Sequence, residues 1–187
     1  MSRIAIPLVA LFATPASAFA EPITVGAGLG VAHDRETSNS VANSTIGLFA
    51  RLQVDPRVSC QLELARLERS AGVPSIMASP GSSDIKQASA LVVVDLAQGS
   101  KITPTVLAGF GGDRATNIVR DNTYAHGELG VGLELRTRMG LVLGADARVG
   151  TRRIIAAAHS DVLVTIEPQT LAEGSYHSVR ASLGLRF

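Results

Sequence analysis

The chain has 187 residues, which fits one domain, and 46% of them are hydrophobic, which excludes a disordered chain. Its 17 basic and 16 acidic side chains leave a formal net charge of +1, so there is no basic surplus of the kind a nucleic-acid partner requires. The one cysteine, Cys60, excludes an internal disulfide and is interpreted as a small apolar filler.

The first twenty residues have the pattern of a secretory signal peptide. Arg3 supplies a positive start, an apolar run follows over 4–13, and A-x-A cleavage sites end at Ala18 and Ala20. An uncleaved anchor is the alternative, but ten apolar residues would reach about 15 Å as a helix, half of a hydrocarbon core. We therefore predict a signal peptide over 1–20, cut after Ala20 or Ala18, and a mature domain over 21–187.

The mature chain contains eight runs in which apolar residues alternate with polar residues or glycine. Successive side chains of a strand point to opposite faces, so each run predicts a strand with one apolar face. The predicted strands are 23–32, 46–54, 58–64, 88–96, 102–111, 125–135, 141–150 and 179–187.

The connections between these runs alternate in length. Short turns are predicted at 55–57, 97–101 and 136–140, where Pro and Gly are found. Long polar segments are predicted at 33–44, 67–85, 113–122 and 152–174. This pattern indicates an all-β fold, an eight-stranded antiparallel up-and-down barrel with a compact turn end and a loop end.

Such a barrel can have its apolar face inside or outside, and the alternation does not by itself say which face is inside. A soluble lipocalin-like barrel buries the apolar face, whereas a membrane barrel turns it to lipid. Glycines crowd the polar face, as a narrow lumen requires. The apolar face is nearly free of charge over about 25 Å, the height of an outer-membrane apolar band. These features, the signal peptide and the loop pattern favour the transmembrane barrel over a soluble periplasmic ligand-binding barrel.

The chain ends on an aromatic residue after four alternating apolar positions: Val179, Ala181, Leu183, Leu185 and Phe187. This ending resembles the C-terminal strand by which assembly machinery recognises bacterial outer-membrane β-barrels. The whole mature chain resembles the small eight-stranded group, which includes the OmpA-type transmembrane domain, OmpX and OmpW-like proteins. The resemblance implies a cell outer-membrane location, with outer-membrane lipid and the barrel-assembly machinery as partners. Scarce aromatics, the inward apolar pair Leu91 and Val93, and Pro104 within a strand depart from the pattern.

Charged side chains fall on the face predicted to line the lumen, because an arginine turned to lipid at the midplane would cost about 2–4 kcal/mol. Glu128, Arg148 and Arg180 stand at similar heights on the last three strands, with Asp146 one step lower, and these four are predicted to form a buried network. The full predicted lumen network consists of Arg51, Glu63, Glu128, Asp146, Arg148 and Arg180. We interpret it as a plug that holds the register, with a gate or narrow selective pore as the alternative.

Other candidate sites carry little chemistry. The glycines at 26, 28 and 30 lack the spacing of a nucleotide-binding loop. His126 and Glu128 share the lumen face, but no serine stands at 127 or 128 to act as a nucleophile. His33 and His177 are predicted to be neighbours, yet two histidines without a third ligand are interpreted as solvated. We therefore predict no enzyme activity, no cofactor and no metal site.

Segments 67–85 and 152–174 are the expected contact sites for an extracellular partner. Within the second, apolar stretches at 154–158 and 162–166 could extend the seventh strand, cover the barrel mouth or bind a partner. The expected function is a structural, membrane-integrity or surface-interaction role exerted through these loops. A narrow passive pore and a soluble lipocalin-like barrel are the alternatives.

Overall fold

A computed structural model describes residues 22–34, 41–69, 84–97, 99–116, 120–159, 171 and 173–187. Its strands form a closed antiparallel barrel in which each strand pairs with its sequence neighbours and the last pairs with the first. The strands are β1 Ile23–Asp34, β2 Val41–Asp55, β3 Val58–Arg69, β4 Asp84–Asp95, β5 Ile102–Thr116, β6 Arg120–Arg136, β7 Leu141–His159 and β8 Gly174–Arg186. The predicted fold class is confirmed. The predicted signal peptide, with Ala18 and Ala20, lies outside the described residues.

The predicted boundaries at the loop end are wrong, because the strands run further than the apolar pattern does. Segments predicted as loops at 113–122 and 152–174 contain the end of β5, the start of β6 and the last eight of the 19 residues of β7. The same holds for the edges of 33–44 and 67–85. Outward side chains such as Arg114 and Lys86 are polar here, so the alternation disappears while the hydrogen-bonded pairing continues. Of the two apolar stretches, 154–158 extends β7 and 162–166 lies outside the described residues.

The barrel is apolar outside and charged inside. On the outer face Leu48 is 65% exposed and Phe110 is 72% exposed, whereas Glu63 and Arg148 in the lumen are 4% and 3% exposed. Water would penalise this arrangement, whereas hydrocarbon requires it, because lipid accepts leucine and valine and excludes ionised groups. The soluble lipocalin-like alternative is therefore wrong, since it would have placed the apolar face at the centre.

The apolar band on the outer face ends below a rim of polar side chains at the loop end. We call this set the external rim; its exposed or half-buried members are His33, Arg66, Lys86, Arg114, Arg153 and His177. Below the rim, each strand turns apolar or small residues outward down to the opposite end of the barrel. No helix long and apolar enough to cross a membrane occurs among the described residues.

The turn end is compact and closes the barrel seam. Between β6 and β7, Gly140 adopts a φ of +83°, which a side chain would strain, and its carbonyl accepts a 2.7 Å hydrogen bond from Arg186 N–H. The amide of Phe187 donates to the carbonyl of Ile23, which joins the end of the chain to β1. Pro104 is the third residue of β5, close to the turn end. Its carbonyl oxygen accepts a 2.9 Å hydrogen bond from Leu96 N–H.

Candidate functional site in the barrel lumen

Glycines on the inner face give long side chains room to lie across neighbouring strands. A Cβ at Gly130 would stand 2.9 Å from Cγ of Arg148, and a Cβ at Gly111 would stand 2.6 Å from the ring of His126. Real Cβ contacts are not that short, so these positions accept only glycine unless the neighbour moves. The glycine-rich inner face therefore makes possible a lumen filled by arginine, histidine and tyrosine side chains.

Arg148 on β7 is the centre of the charged cluster. Its Nη1 and Nη2 atoms donate to the two oxygens of Glu63 across the lumen, at 2.9 and 2.8 Å. The same guanidinium donates to Glu128 at 3.3 Å and to Asp146 at 2.5 Å. One cation thus contacts three carboxylates from strands β3, β6 and β7, which suits the planar donor fork of arginine.

The other two predicted members are joined to this cluster through Glu63. Arg180 donates to Oε2 of Glu63, rather than to Glu128 or Asp146 as its position on the neighbouring strand had suggested. Arg51 is bonded to Gln61 at 2.6 Å, and Gln61 donates to Glu63. Glu63 is therefore the residue that links Arg148, Arg180 and Arg51 from three sides of the lumen.

A second charged layer lies towards the turn end. Arg51 also pairs with Glu134, and Glu134 accepts a 2.7 Å hydrogen bond from Arg136. Arg136 makes a two-pronged contact with Asp95, at 2.5 and 2.8 Å. Below it, Arg186 donates to Gln53 at 2.7 Å. The ionised side chains of this layer are paired with one another, except that Arg186 has the neutral Gln53 as its partner, so each has the partner that a buried polar network requires.

A third layer lies towards the loop end and contains a serine, a histidine and an aspartate in series. Oγ of Ser89 lies 3.0 Å from Nε2 of His126, and Nδ1 of His126 lies 3.2 Å from Oδ1 of Asp113. Arg152 donates to Asp113 at 2.6 Å and to Asp34 at 2.9 Å.

Tyr176 on β8 connects this third layer to the centre. Its hydroxyl donates to Oε2 of Glu128 at 3.3 Å, and its ring lies 4.6 Å beneath the guanidinium of Arg152. A cation over an aromatic face is favourable, more so where water is excluded. The ring also needs space on β7, which Gly150 supplies, because a Cβ there would stand 2.6 Å from it.

Apolar side chains cover the charged layers at the loop end. This mouth cap consists of Leu67, Ile85, Ala115, Tyr124 and Leu171, all at most 4% exposed. The hydroxyl of Tyr124 donates to the carbonyl of Leu171 at 2.9 Å, which holds Leu171 inside the mouth. A smaller apolar group, formed by Leu91, Val93 and Leu107, fills the lumen lower down and accounts for the two inward apolar residues noted in β4.

The lumen holds very little open space. A cavity of about 20 Å³ lies between the two lower layers and is lined by their charged residues together with Phe49 and Leu107. Such a volume accepts about one water molecule, far less than a row of hydrated ions needs. Among the described residues there is also no group of three side chains placed to bind a metal ion.

Sequence reasoning placed the six predicted network residues in the lumen but missed several that the structure brings beside them. The missed members are Asp34, Ser89, Asp113, Arg136, Arg152 and Tyr176. Most of these stand in strand extensions that the apolar pattern did not reveal. The alternation of inward and outward positions could have revealed them, because Asp113 and Arg152 continue the inward positions of β5 and β7.

Above the apolar band, the external rim is charged. Arg114 makes two hydrogen bonds to Asp121, at 2.6 and 3.0 Å, and these hold the pKa of the Asp121 carboxyl below its ordinary value. Arg66, Lys86 and Arg114 stand directly opposite one another on three adjacent strands. The rim therefore presents a row of cationic side chains to the solvent side of the band.

The C-terminal residues predicted to act as an assembly signal lie on the outer face of β8. Val179, Leu183, Leu185 and Phe187 are between 51% and 79% exposed, and Ala181 shares their face. Their row faces the membrane next to β1, along the seam that closes the barrel.

No family model matches the sequence, and no curated protein matches it. The fold resembles the crystal structure of Neisserial surface protein A with a TM-score of 0.66 and 12% identity, over 88% of this chain and 97% of that one. It resembles Ail, the attachment invasion locus protein of Yersinia pestis, with a TM-score of 0.53 and 14% identity, over 89% and 99%. Ail in complex with the heparin analogue sucrose octasulfate gives a TM-score of 0.52 at the same identity and coverage. At these identities the comparisons show the fold alone.

Proposed function

We propose that this protein, which has the fold of the small eight-stranded outer-membrane β-barrels, is a non-conducting barrel of the outer membrane that acts at the cell surface. The observation that carries the proposal is the filled lumen. Three charged layers and an apolar mouth cap occupy it from one end to the other. The polar network has a structural role, because it satisfies the ionised groups that the barrel encloses.

Conduction would require these layers to part. A hydrated ion needs a continuous water path, whereas the guanidinium of Arg148 crosses the lumen from β7 to Glu63 on β3. Moving it aside would leave three carboxylates short of a partner in a water-poor interior, at a cost of several kcal/mol. The narrow passive pore is therefore the less favoured function.

Recordings in planar bilayers test this proposal directly. The purified barrel, shown to be folded by heat-modifiable migration on a gel, should give no unitary conductance in concentrated KCl. A double variant, Arg148→Ala with Arg180→Ala, removes two side chains that cross the lumen. Conductance by this variant would show that the recording detects an inserted barrel. Steady conductance by the unaltered protein would contradict the proposal and support the pore.

The outer-membrane location is tested separately. We propose that the machinery that assembles such barrels reads the row that ends at Phe187, and that the apolar band then contacts lipid. A variant that lacks Phe187 should accumulate outside the membrane fraction, whereas Phe187→Tyr, which keeps an aromatic ring, should assemble. Recovery of the unaltered protein in the soluble fraction without detergent would refute the location.

The surface role is proposed for the part of the barrel above the apolar band. There β6 and β7 pair up to Arg120 and His159, beyond the start of β8 at Gly174. Ile155 at 64% exposure gives this raised ribbon an apolar outer surface. The partner segments expected at 67–85 and 152–174 remain a proposal; of their described residues, Leu67, Ile85 and Leu171 point into the mouth cap. Among the described residues, the candidate surface is the ribbon and the external rim.

A second candidate function is the binding of a polyanionic saccharide at the external rim. The row Arg66, Lys86 and Arg114 favours it, because three cationic side chains directly opposite one another on adjacent strands match the repeated negative charges of such a chain. Ail, a protein with this fold, has been crystallised with a sulfated heparin analogue. Retention on immobilised heparin should fall for Lys86→Gln and be unchanged for Lys101→Gln at the turn end. Equal retention of both variants would refute it.

A further inference from the structure

Two histidines of the external rim stand face to face across the barrel seam and take no part in the lumen network. Contrary to the expectation from the sequence that this pair is solvated and that the chain has no metal site, we propose that His33 and His177 together bind a divalent first-row transition-metal ion, such as Cu²⁺ or Zn²⁺. The site lies on the outer surface, where the first and last strands of the barrel meet. It is independent of whether the lumen conducts and of what the rim recognises.

The register places the two residues directly opposite each other. His33 on β1 pairs with His177 on β8, and the residues on either side of them, Asp34 and Tyr176, are buried in the lumen. The two rings therefore point outward, with His177 exposed and His33 half-buried. Directly below them on the same face are Val31 and Val179, at the top of the apolar band.

The ring separation already suits a shared ion. The ring centroids are 5.2 Å apart, and the planes are inclined by 14°. With Zn–N distances of about 2.0–2.1 Å and a tetrahedral angle at the metal, two imidazoles that bind one ion have centroids about 5 Å apart. The separation of the rings is thus in the right range, and the two near-parallel rings would rotate about their side-chain bonds to aim two nitrogens at one point.

The chemistry of the donors selects the class of ion. Neutral imidazole suits Zn²⁺, Cu²⁺ and Ni²⁺, whereas Mg²⁺ and Ca²⁺ prefer oxygen ligands. The nearby carboxylate of Asp34 is not a ligand, because it points inward and is bonded to Arg152 and Asn43. Two protein ligands leave the other coordination positions to water or to phosphate oxygens of lipid, so the site is open and exchangeable rather than a closed structural centre.

An ion at this place would act as a clamp on the seam. The pairing of β1 with β8 joins the two ends of the chain, and this pairing closes the barrel. A ligand that binds only when both strands are paired stabilises the folded state by mass action. Metal binding should therefore raise the resistance of the barrel to unfolding as well as give a spectroscopic signal.

The test uses the mature barrel without any histidine tag, refolded in detergent, with Cu²⁺ as the probe. The variants are His33→Ala and His177→Ala, and His159→Ala is the matched control because it removes one histidine elsewhere on the chain. Electron paramagnetic resonance reports the number of nitrogen ligands, and a competition titration gives the Kd. Unfolding in urea with and without Zn²⁺, followed by circular dichroism, is the second measurement.

We expect one Cu²⁺ bound through two nitrogens in the unaltered protein and in His159→Ala. Each seam variant should bind at least about tenfold more weakly, because the second ligand no longer acts at a high effective concentration. Zn²⁺ should raise the urea midpoint of the unaltered protein and not that of either seam variant. Absence of binding, a one-nitrogen signal, or equal Kd values for the seam variants and the unaltered protein would each overturn the proposal.

Discussion

Replacing Arg148 by methionine tests whether the central cluster holds the barrel together. Methionine keeps much of the length of the side chain and removes the charge and all donors. In the structure this guanidinium donates to Glu63, Glu128 and Asp146, and only Arg180 would remain to offset the three carboxylates. The substitution therefore tests charge satisfaction rather than packing volume.

The expected loss follows from the burial of the cluster. Arg148 is 3% exposed, and Glu63 and Glu128 are 4% and 5% exposed, so solvent cannot take the place of the lost partner. Removing one partner of a buried ion pair costs about 3–5 kcal/mol. That is a large part of a typical free energy of unfolding of about 5–15 kcal/mol. We expect Arg148→Met to lower the free energy of unfolding by about 3–5 kcal/mol.

The assay is urea unfolding of the refolded barrel, followed by circular dichroism, since the chain has no tryptophan to report by fluorescence. Arg138→Met is the control, because Arg138 is exposed in the turn between β6 and β7 and should change stability by no more than about 0.5 kcal/mol. Arg148→Met combined with Glu63→Gln removes one charge of each sign and should cost less than the sum of the two single changes. Equal midpoints for Arg148→Met and Arg138→Met, or strict additivity in the double variant, would refute the reasoning.

Three further predictions rest on other contacts. Gly111→Ala should lower the free energy of unfolding in urea by about 1–3 kcal/mol, because the new Cβ would stand 2.2 Å from the carbonyl oxygen of Ala88 and 2.6 Å from the ring of His126. Leu62→Arg, at an outward position in the band, should cost about 2–4 kcal/mol in lipid vesicles, and an equal stability of both proteins there would contradict the assigned outer face. Tyr124→Phe should lower the free energy of unfolding by about 0.5–1.5 kcal/mol, because it deletes the hydrogen bond to Leu171, and an unchanged urea midpoint would contradict it.

The membrane-spanning part of the fold was predictable from the sequence because lipid imposes a rule on every second residue. An outward position within the band must be apolar or small, so eight alternating runs located all eight strands. Above the band that rule ends, since outward residues there meet water. Lys86, Arg114 and Arg153 are all outward residues of regular strands, and their polarity made the strand ends look like loops.

The lumen was predictable in composition and only partly in its contacts. Parity within a strand tells which side chains point inward, and it placed Arg51, Glu63, Glu128, Asp146, Arg148 and Arg180 there. Which of them touch depends on how far each strand is shifted along the next around the whole barrel. Counting heights on neighbouring strands put Arg180 with Glu128, whereas the structure pairs it with Glu63 on the far side of the lumen. A contact across the lumen leaves no local signal in the sequence.

The outer and inner faces of the barrel therefore specify different features of the structure. Sliding β8 by two residues past β7 would keep every apolar side chain of Val179 to Phe187 facing lipid, because the alternation has a period of two. The same slide would carry Arg180 away from Glu63 and leave a buried carboxylate with one partner fewer, which is costly in a water-poor interior. The apolar face therefore determines that a membrane barrel forms, and the charged face determines its register. On this argument the network would be needed even in a barrel that never conducts an ion.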